Sequence, residues 1–375
     1  MREKLVTSAP RLGNSLVAPR RISRQVMVGD VPLGGGAPVV IQSMCDTKTR
    51  DYSATMRQIL ALAKAGCQLV RVAVPEDEDA RALKDIVRHS PLPVIADIHY
   101  TPQHALMAIE AGVHKVRLNP GTCVVTDWAK RIAREVREAG IPIRIGVNSG
   151  SIAKRYVDEF VNDPAGTMVK SALDYIKIMQ DEGVEDIVVS LKSTDVETMV
   201  QANRQFAQLS DLPLHLGVTE AGPGVGGAAR STVGLSLLLA EGIGDTIRVS
   251  LTDNPVEEVK VAKEILAALD LLPDHIKLVA CPTCGRINYD LYKLIELVQD
   301  YLEELEVSGK LTVAVMGCEV NGPGECREAD VGIAAGRGNF LIYREGKIVR
   351  SKLTFDELLP ALKEEIETFL ASRGA

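Results

Sequence analysis

Aromatic residues are scarce, at 4% of 375 residues, with a single tryptophan. So small a supply leaves little to stack on nucleic-acid bases. Excess positive charge is missing as well. Lys and Arg number 43 against 50 Asp and Glu, a net charge of −7, which argues against binding nucleic acid through a basic surface. No apolar run approaches the roughly 18–20 residues of a membrane span. The N-terminal stretch has basic residues but no apolar core of a secretory signal. The expectation is no nucleic acid, no membrane and a cytoplasmic location. Cysteines number seven. An odd count without an export signal points to reduced thiols or metal ligands, not to a disulfide framework.

What is present is a folded-protein composition, 46% hydrophobic and 25% charged, in a chain long enough for two or three domains. Residues 1–30 read as a polar, partly irregular lead-in. After Gly34-Gly35-Gly36, short β-branched runs alternate with amphipathic stretches. The runs are 39–44, 69–74, 93–99, 115–120, 141–148, 186–193, 213–220 and 246–252. That alternation predicts a parallel sheet, and eight βα units match a (β/α)₈ TIM barrel better than an open doubly wound sheet. The pattern changes near Pro273. A strand at 275–282, a helix at 287–305, strands at 310–318 and 329–335, a hairpin at 339–351 and a final helix at 355–371 make a small α+β domain. The expected division is 1–270 and 271–375.

In such a barrel alternate strand residues face inward, and the C-terminal strand ends carry the chemistry. Arg71 lies in the second run, Asp97 and His99 end the third, and Arg117 and Asn119 share a face of the fourth. Arg144 and Asn148 share a face of the fifth; Lys192 ends the sixth, Glu220 the seventh, and Arg248 and Ser250 share a face of the eighth. Singly, each could be a solvated strand end. Together, four arginines and a lysine at one mouth would repel one another, with only Asp97 and Glu220 to oppose them. A substrate with two or more negative charges, of diphosphate type, resolves this, and Arg suits phosphate. The segment Gly222-Pro-Gly-Val-Gly-Gly227 matches G-x-G-x-x-G. Its place after the seventh strand, and Pro223 within it, favour a turn near a phosphate over a dinucleotide fold.

The second domain carries Cys281-Pro-Thr-Cys284-Gly, then Cys318-Glu-Val-Asn-Gly-Pro-Gly-Glu325-Cys326. Without a second close cysteine pair, an iron–sulfur cluster fits at least as well as a structural zinc. Spacing alone favours Cys281, Cys284, Cys318 and Cys326, with the eight-residue step of the last two read as an irregular loop. Cys45, Cys67 and Cys123 read as ordinary thiols.

These motifs, ACPTCGR and MGCEVNGPGE behind ADIH, RLNPG, IRIGVNSG, SLKS, HLGVTEAG and TIRVSLT, resemble the 4-hydroxy-3-methylbut-2-enyl diphosphate synthase family in its bacterial two-domain form. The resemblance runs from about residue 20 to the end. It implies a TIM barrel followed by a [4Fe–4S] domain like those of sulfite and nitrite reductases. The implied ligands are Cys281, Cys284, Cys318 and Glu325, which replaces the Cys326 that spacing favours. The implied substrate is 2-C-methyl-D-erythritol 2,4-cyclodiphosphate, opened reductively with electrons from ferredoxin or flavodoxin. In the family, the barrel of one chain meets the cluster domain of its partner in a homodimer. On this reading Arg71, Arg117, Arg144, Lys192 and Arg248, with Ser250, hold the diphosphate. Asp97, His99, Asn119 and Asn148 contact the rest of the substrate, and Glu220 is the candidate proton donor. Two other readings stay open: a non-redox barrel lyase or aldolase with a structural zinc, and a zinc-ribbon module on nucleic acid.

Overall fold

The protein is described as a computed structural model covering residues 16–123, 126–159, 162–335 and 339–373. The chain divides into two compact units, Met1–Leu271 and Leu272–Ala375. Among the described residues no helix is long and apolar enough to cross a membrane.

The first unit opens with an antiparallel hairpin, β1 (Val26–Val28) and β2 (Val31–Leu33). It falls in the stretch expected to be irregular lead-in, of which residues 1–15 lie outside the described residues. Eight parallel strands follow: β3 (Val40–Met44), β4 (Leu69–Ala73), β5 (Val94–Ile98), β6 (Lys115–Leu118), β7 (Ile143–Asn148), β8 (Ile187–Lys192), β9 (His215–Leu216) and β10 (Thr246–Ile247). They pair in the order β8-β7-β6-β5-β4-β3-β10-β9. A parallel bridge between Val189 and Leu214 closes the ring. The fold is the expected (β/α)₈ barrel. The last two strands are much shorter than their apolar runs.

Helices fill each crossover, and several begin on a side chain that accepts from a free backbone N–H: Asp51 from Ala54, Asp195 from Thr198, Asn254 from Val256. Helix Gly224–Ala240 starts inside the glycine-rich segment, so that segment is the turn between β9 and its helix. The hairpin covers the N-terminal end of the barrel. Val26, Val28 and Leu33 pack there against Val40, Leu69, Ile95 and Val188, the first inward layer of four strands. The opposite, C-terminal end carries a cavity.

The second unit is a mixed five-stranded sheet in chain order: β11 (His275–Ala280), β12 (Lys310–Met316), β13 (Val331–Ala335), β14 (Phe340–Arg344) and β15 (Lys347–Leu353). The first three strands are parallel and the last two antiparallel. Helices Leu291–Glu304 and Phe355–Arg373 cover one face with Leu294, Val298, Leu362 and Ile366. The other face packs Ala314, Met316, Ala334 and Tyr343 around Cys326. The NGPG segment is not an irregular loop: Gly322–Glu328 is a short helix with Pro323 in its first turn, where the missing N–H costs nothing.

Candidate active site

A cavity of about 230 Å³ lies at the C-terminal ends of the barrel strands. Arg71, Asp97, His99, Arg117, Arg144, Asn148, Lys192, Arg248 and Ser250 line it, together with Met44, Ser190 and Thr219. Nine of the residues expected from sequence thus share one wall. Two do not reach it. Asn119 is buried, donating from Nδ2 to Ser151 Oγ at 2.8 Å and accepting from Gly121 N at 3.0 Å, so its amide is spent on the following loop. Glu220 is exposed, beyond the short β9, in a turn with a φ of 53°.

Two glycines make room for the cations. A Cβ on Gly146 would lie 2.5 Å from Arg117 Nε, and one on Gly217 would lie 2.8 Å from Lys192 Nζ. A side chain at either position would have to displace the charged group beside it.

Asp97 organises one side. Arg117 Nη1 donates to its Oδ1 at 3.0 Å, and Arg71 Nε stands 3.8 Å from Oδ2. Burial alone would raise the Asp97 pKa, but Arg71 and then Arg117 outweigh it and hold the carboxyl well below its usual range. Arg117 Nη1 also lies 2.6 Å from His99 Nε2. A guanidinium can only donate, so Nε2 accepts, and the ring proton sits on Nδ1, 3.1 Å from Thr122 Oγ1. Arg117 Nη2 donates to the Gly146 carbonyl.

On the other side Arg248 donates to Glu258 through Nη2 and Nε, at 2.9 and 3.1 Å. Sequence reasoning missed Glu258. It sits in the first turn of helix Pro255–Ala268, where an acidic residue is ordinary; only its burial marks it. Met44 is the second omission. Its Sδ lies 3.0 and 2.9 Å from Arg71 Nε and Nη2 and 3.7 Å from Arg248 Nη1. A thioether accepts these donors weakly and neutralises none of their charge.

Five cations therefore meet Asp97 and Glu258. Arg144 is 1% exposed, and its Nε and Nη1 have no partner among the described residues. Burial brings Arg71 down to about 10 despite Asp97. Burial first, then the neighbouring arginines, pushes Arg144 and Lys192 well below their ordinary values. Deprotonating guanidinium is prohibitively unfavourable, so such a site calls for a bound anion.

In the second unit Cys281 follows β11 and Cys318 lies just past β12. These strands pair in register, and Cys281 N donates to Val315 O at 3.0 Å. Burial, then the thiols Cys281 and Cys318, push the Tyr289 phenol up to about 12. Cys284 is exposed; its thiol is lowered by the Arg286 backbone N–H and guanidinium. Cys326 is fully buried against the sheet, and burial raises it to about 12. Glu325, one residue earlier, is exposed. All seven cysteines are free thiols, and Cys45, Cys67 and Cys123 are buried. Among the described residues no three Cys, His, Asp or Glu side chains are gathered as for a single metal ion.

Residues 23–263 match the GcpE TIM-barrel domain, and residues 277–368 match the GcpE protein C-terminal domain. Relatives named 4-hydroxy-3-methylbut-2-en-1-yl diphosphate synthase (flavodoxin) align along nearly the whole chain. That of Salinispora tropica is 50% identical over 96% of this chain and 92% of its own. That of Geobacter sulfurreducens is 50% identical over 94% and 99%, and that of Aquifex aeolicus 47% over 95% and 99%. Among solved structures, the Yersinia pestis dihydropteroate synthase aligns with a TM-score of 0.47 at 12% identity, covering 66% of this chain and 98% of that one. With both domains matched in order and half the residues identical over nearly its full length, the chain belongs to the GcpE family of 4-hydroxy-3-methylbut-2-en-1-yl diphosphate synthases.

Proposed function

We propose that the chain converts 2-C-methyl-D-erythritol 2,4-cyclodiphosphate to (E)-4-hydroxy-3-methylbut-2-enyl diphosphate, a two-electron reductive ring opening with loss of water in isoprenoid biosynthesis. The observation that carries this reading is the excess of buried cation around one cavity: Arg71, Arg117, Arg144, Lys192 and Arg248 against Asp97 and Glu258. A cyclic diphosphate brings the missing negative charge, and guanidinium groups offer its oxygens paired donors.

In this reading the five cations and Ser250 hold the phosphates and keep them fixed while the ring opens. Asp97, His99 and Asn148 orient the carbon skeleton and its hydroxyls. Asn119 supports the loop beside them through Ser151 and Gly121. Glu220 is the proposed proton donor; a left-handed backbone at a non-glycine residue is strain of the kind that collects at functional turns.

A [4Fe–4S] cluster on Cys281, Cys284, Cys318 and Glu325 supplies the electrons one at a time when bound. The donor chemistry suits it. These three thiols are at least partly accessible, whereas Cys326 is sealed in the core. Glu325, a carboxylate, would be displaced more readily than a thiolate. Reduced flavodoxin is the proposed donor, in keeping with the relatives' names, with ferredoxin the alternative. A homodimer is the proposed working form.

The test is iron, sulfide and zinc content after anaerobic purification, followed by turnover of the cyclodiphosphate with reduced flavodoxin. About four irons and four sulfides per chain with turnover is the expected result. Zinc without sulfide, persisting through cluster reconstitution, would overturn the redox reading in favour of a barrel lyase with a structural zinc.

A further inference from the structure

One layer below the cavity, the barrel interior carries polar groups where barrels of this kind usually pack branched aliphatics. Alternation along the strands sends Gln42, Lys115 and His215 toward the axis, two residues before Met44, Arg117 and Gly217 respectively. Lys115 and His215 are fully buried and Gln42 is 1% exposed. Lys115 Nζ, His215 Nε2, both amide atoms of Gln42, and Nε and Nη1 of Arg144 have no hydrogen-bond partner among the described residues. Beneath this layer the axis is sealed by Val40, Leu69, Ile95 and Val188 and by the β1–β2 hairpin. The layer therefore adjoins an apolar plug on one side and the cation-rich mouth on the other.

Lys115 is the lysine of this layer, and a buried lysine changes its protonation readily. The charges that act on it are Arg144 on β7 and Arg71 on β4, with His215 on β9 coupled to it; Asp97 on β5, Arg117 on its own strand and Lys192 on β8 line the cavity of the layer above. Strands β3 and β10 bring the neutral Gln42 and Thr246. Among these the single carboxylate, Asp97, is already engaged by Arg117. Burial, then Arg144 and Arg71, oppose a charge on Lys115. A polyanion seated on those arginines would cancel their field and leave a negative charge directly above the amine.

We propose that Lys115 is an uncharged amine in the free protein and takes up one proton when a diphosphate settles on the arginines above it. The proton comes from solvent and ends on Nζ; no bond of the substrate changes. The proposal rests on the diphosphate reading of the cavity and adds a consequence that a fixed set of cations lacks. Affinity falls as pH rises, about tenfold per unit across the interval between the free and bound pKa values of the amine. Lys115 acts through the anion site above it and is a positioning residue, not a catalytic one.

Calorimetry of cyclodiphosphate binding to the anaerobically purified protein, in buffers of different ionisation enthalpy, counts the protons. The wild type should absorb about one proton more than Lys115→Met, whose unbranched apolar chain conserves volume. Binding by the wild type without proton uptake would overturn the proposal and leave the diphosphate reading standing, as would equal uptake by the variant. If Lys115→Met does not fold, the wild-type affinity measured from pH 6 to 9 decides: an affinity independent of pH overturns the proposal. Failure of the wild type to bind at any pH overturns the diphosphate reading, and the proposal with it.

Discussion

Arg248 donates to both oxygens of Glu258, Nη2 to Oε1 at 2.9 Å and Nε to Oε2 at 3.1 Å. Ser43 Oγ and Leu251 N donate to the same carboxylate. A helix thus fixes one cation of the mouth from behind, outside the cavity wall. Glu258→Ala should cost about 3 kcal/mol of stability, because it strands a largely buried charge. Glu258→Gln, which keeps one acceptor, should cost less. Saturating cyclodiphosphate should narrow the deficit, because both proteins gain about 2.7 kcal/mol at about 100 times Kd but only the variant also gains a counter-charge for an unpaired Arg248. Urea unfolding with and without ligand measures this. A deficit in Glu258→Ala equal under both conditions would mean that Arg248 does not meet the anion.

Arg144 is the reverse case, a buried guanidinium with Nε and Nη1 unpartnered. Replacing an uncompensated buried charge with an apolar chain of similar length is neutral or stabilising by about 1–4 kcal/mol. Arg144→Met should therefore leave the free protein as stable or more so, while kcat/KM for the cyclodiphosphate falls about 10–100-fold through lost charged hydrogen bonds. Thermal unfolding and steady-state kinetics on the same preparation separate the two. A variant that lost stability and kept its kinetics would make Arg144 a structural group.

The barrel is legible because its strands are apolar runs with charges at their ends, and period-two alternation alone puts Arg71, Arg117 and Arg144 on the inner face. Residues whose role depends on burial alone were not legible. Glu258 reads as a dipole-favourable acid in a first helical turn, and Lys115 as a solvated strand start. The β1–β2 hairpin was missed because three-residue strands around Gly29 are shorter than any periodic window. Strands β9 and β10 end at Leu216 and Ile247, well before their apolar runs do. Glu220 was consequently read as a strand end when it lies in a turn. Spacing in the second unit favours Cys326 as readily as its neighbours, because one-dimensional spacing cannot say which side of a helix faces the sheet; the structure buries Cys326 there.

The burial of Cys326 makes a sharp distinction. A Cβ on Gly332 would come within 2.8 Å of its Sγ, so the thiol fills its pocket. Cys326→Ser should keep full iron and sulfide content and lose about 1–3 kcal/mol, the cost of a hydroxyl in an apolar site. Cys318→Ser should lose the cluster. Iron and sulfide analysis of both variants after anaerobic reconstitution checks this. Loss of iron from Cys326→Ser in a folded protein would restore the four-cysteine ligand set.

The buried Lys115 should also set the pH dependence of the free protein's stability. Burial first, then Arg144 and Arg71, holds it well below its ordinary value, whereas an unfolded lysine titrates near 10.4. Below that value the unfolded chain binds a proton that the folded one does not, so stability rises with pH, by about 1.4 kcal/mol per unit. Asp97 adds no slope here. Its depressed carboxyl stabilises the fold fully above about pH 4, and that contribution is lost only as pH falls through its lower folded value. Above about pH 8 the buried thiols oppose this lysine, because burial raises Cys45 to about 12 and Cys67 to about 11 while unfolded thiols ionise near 8.5. The clean window is therefore pH 7 to 8. Urea midpoints should climb across it in the wild type, and Lys115→Met should remove most of that slope while leaving the acid limb below pH 4 unchanged. An unaltered slope in the variant would mean that Lys115 is already charged in the free protein.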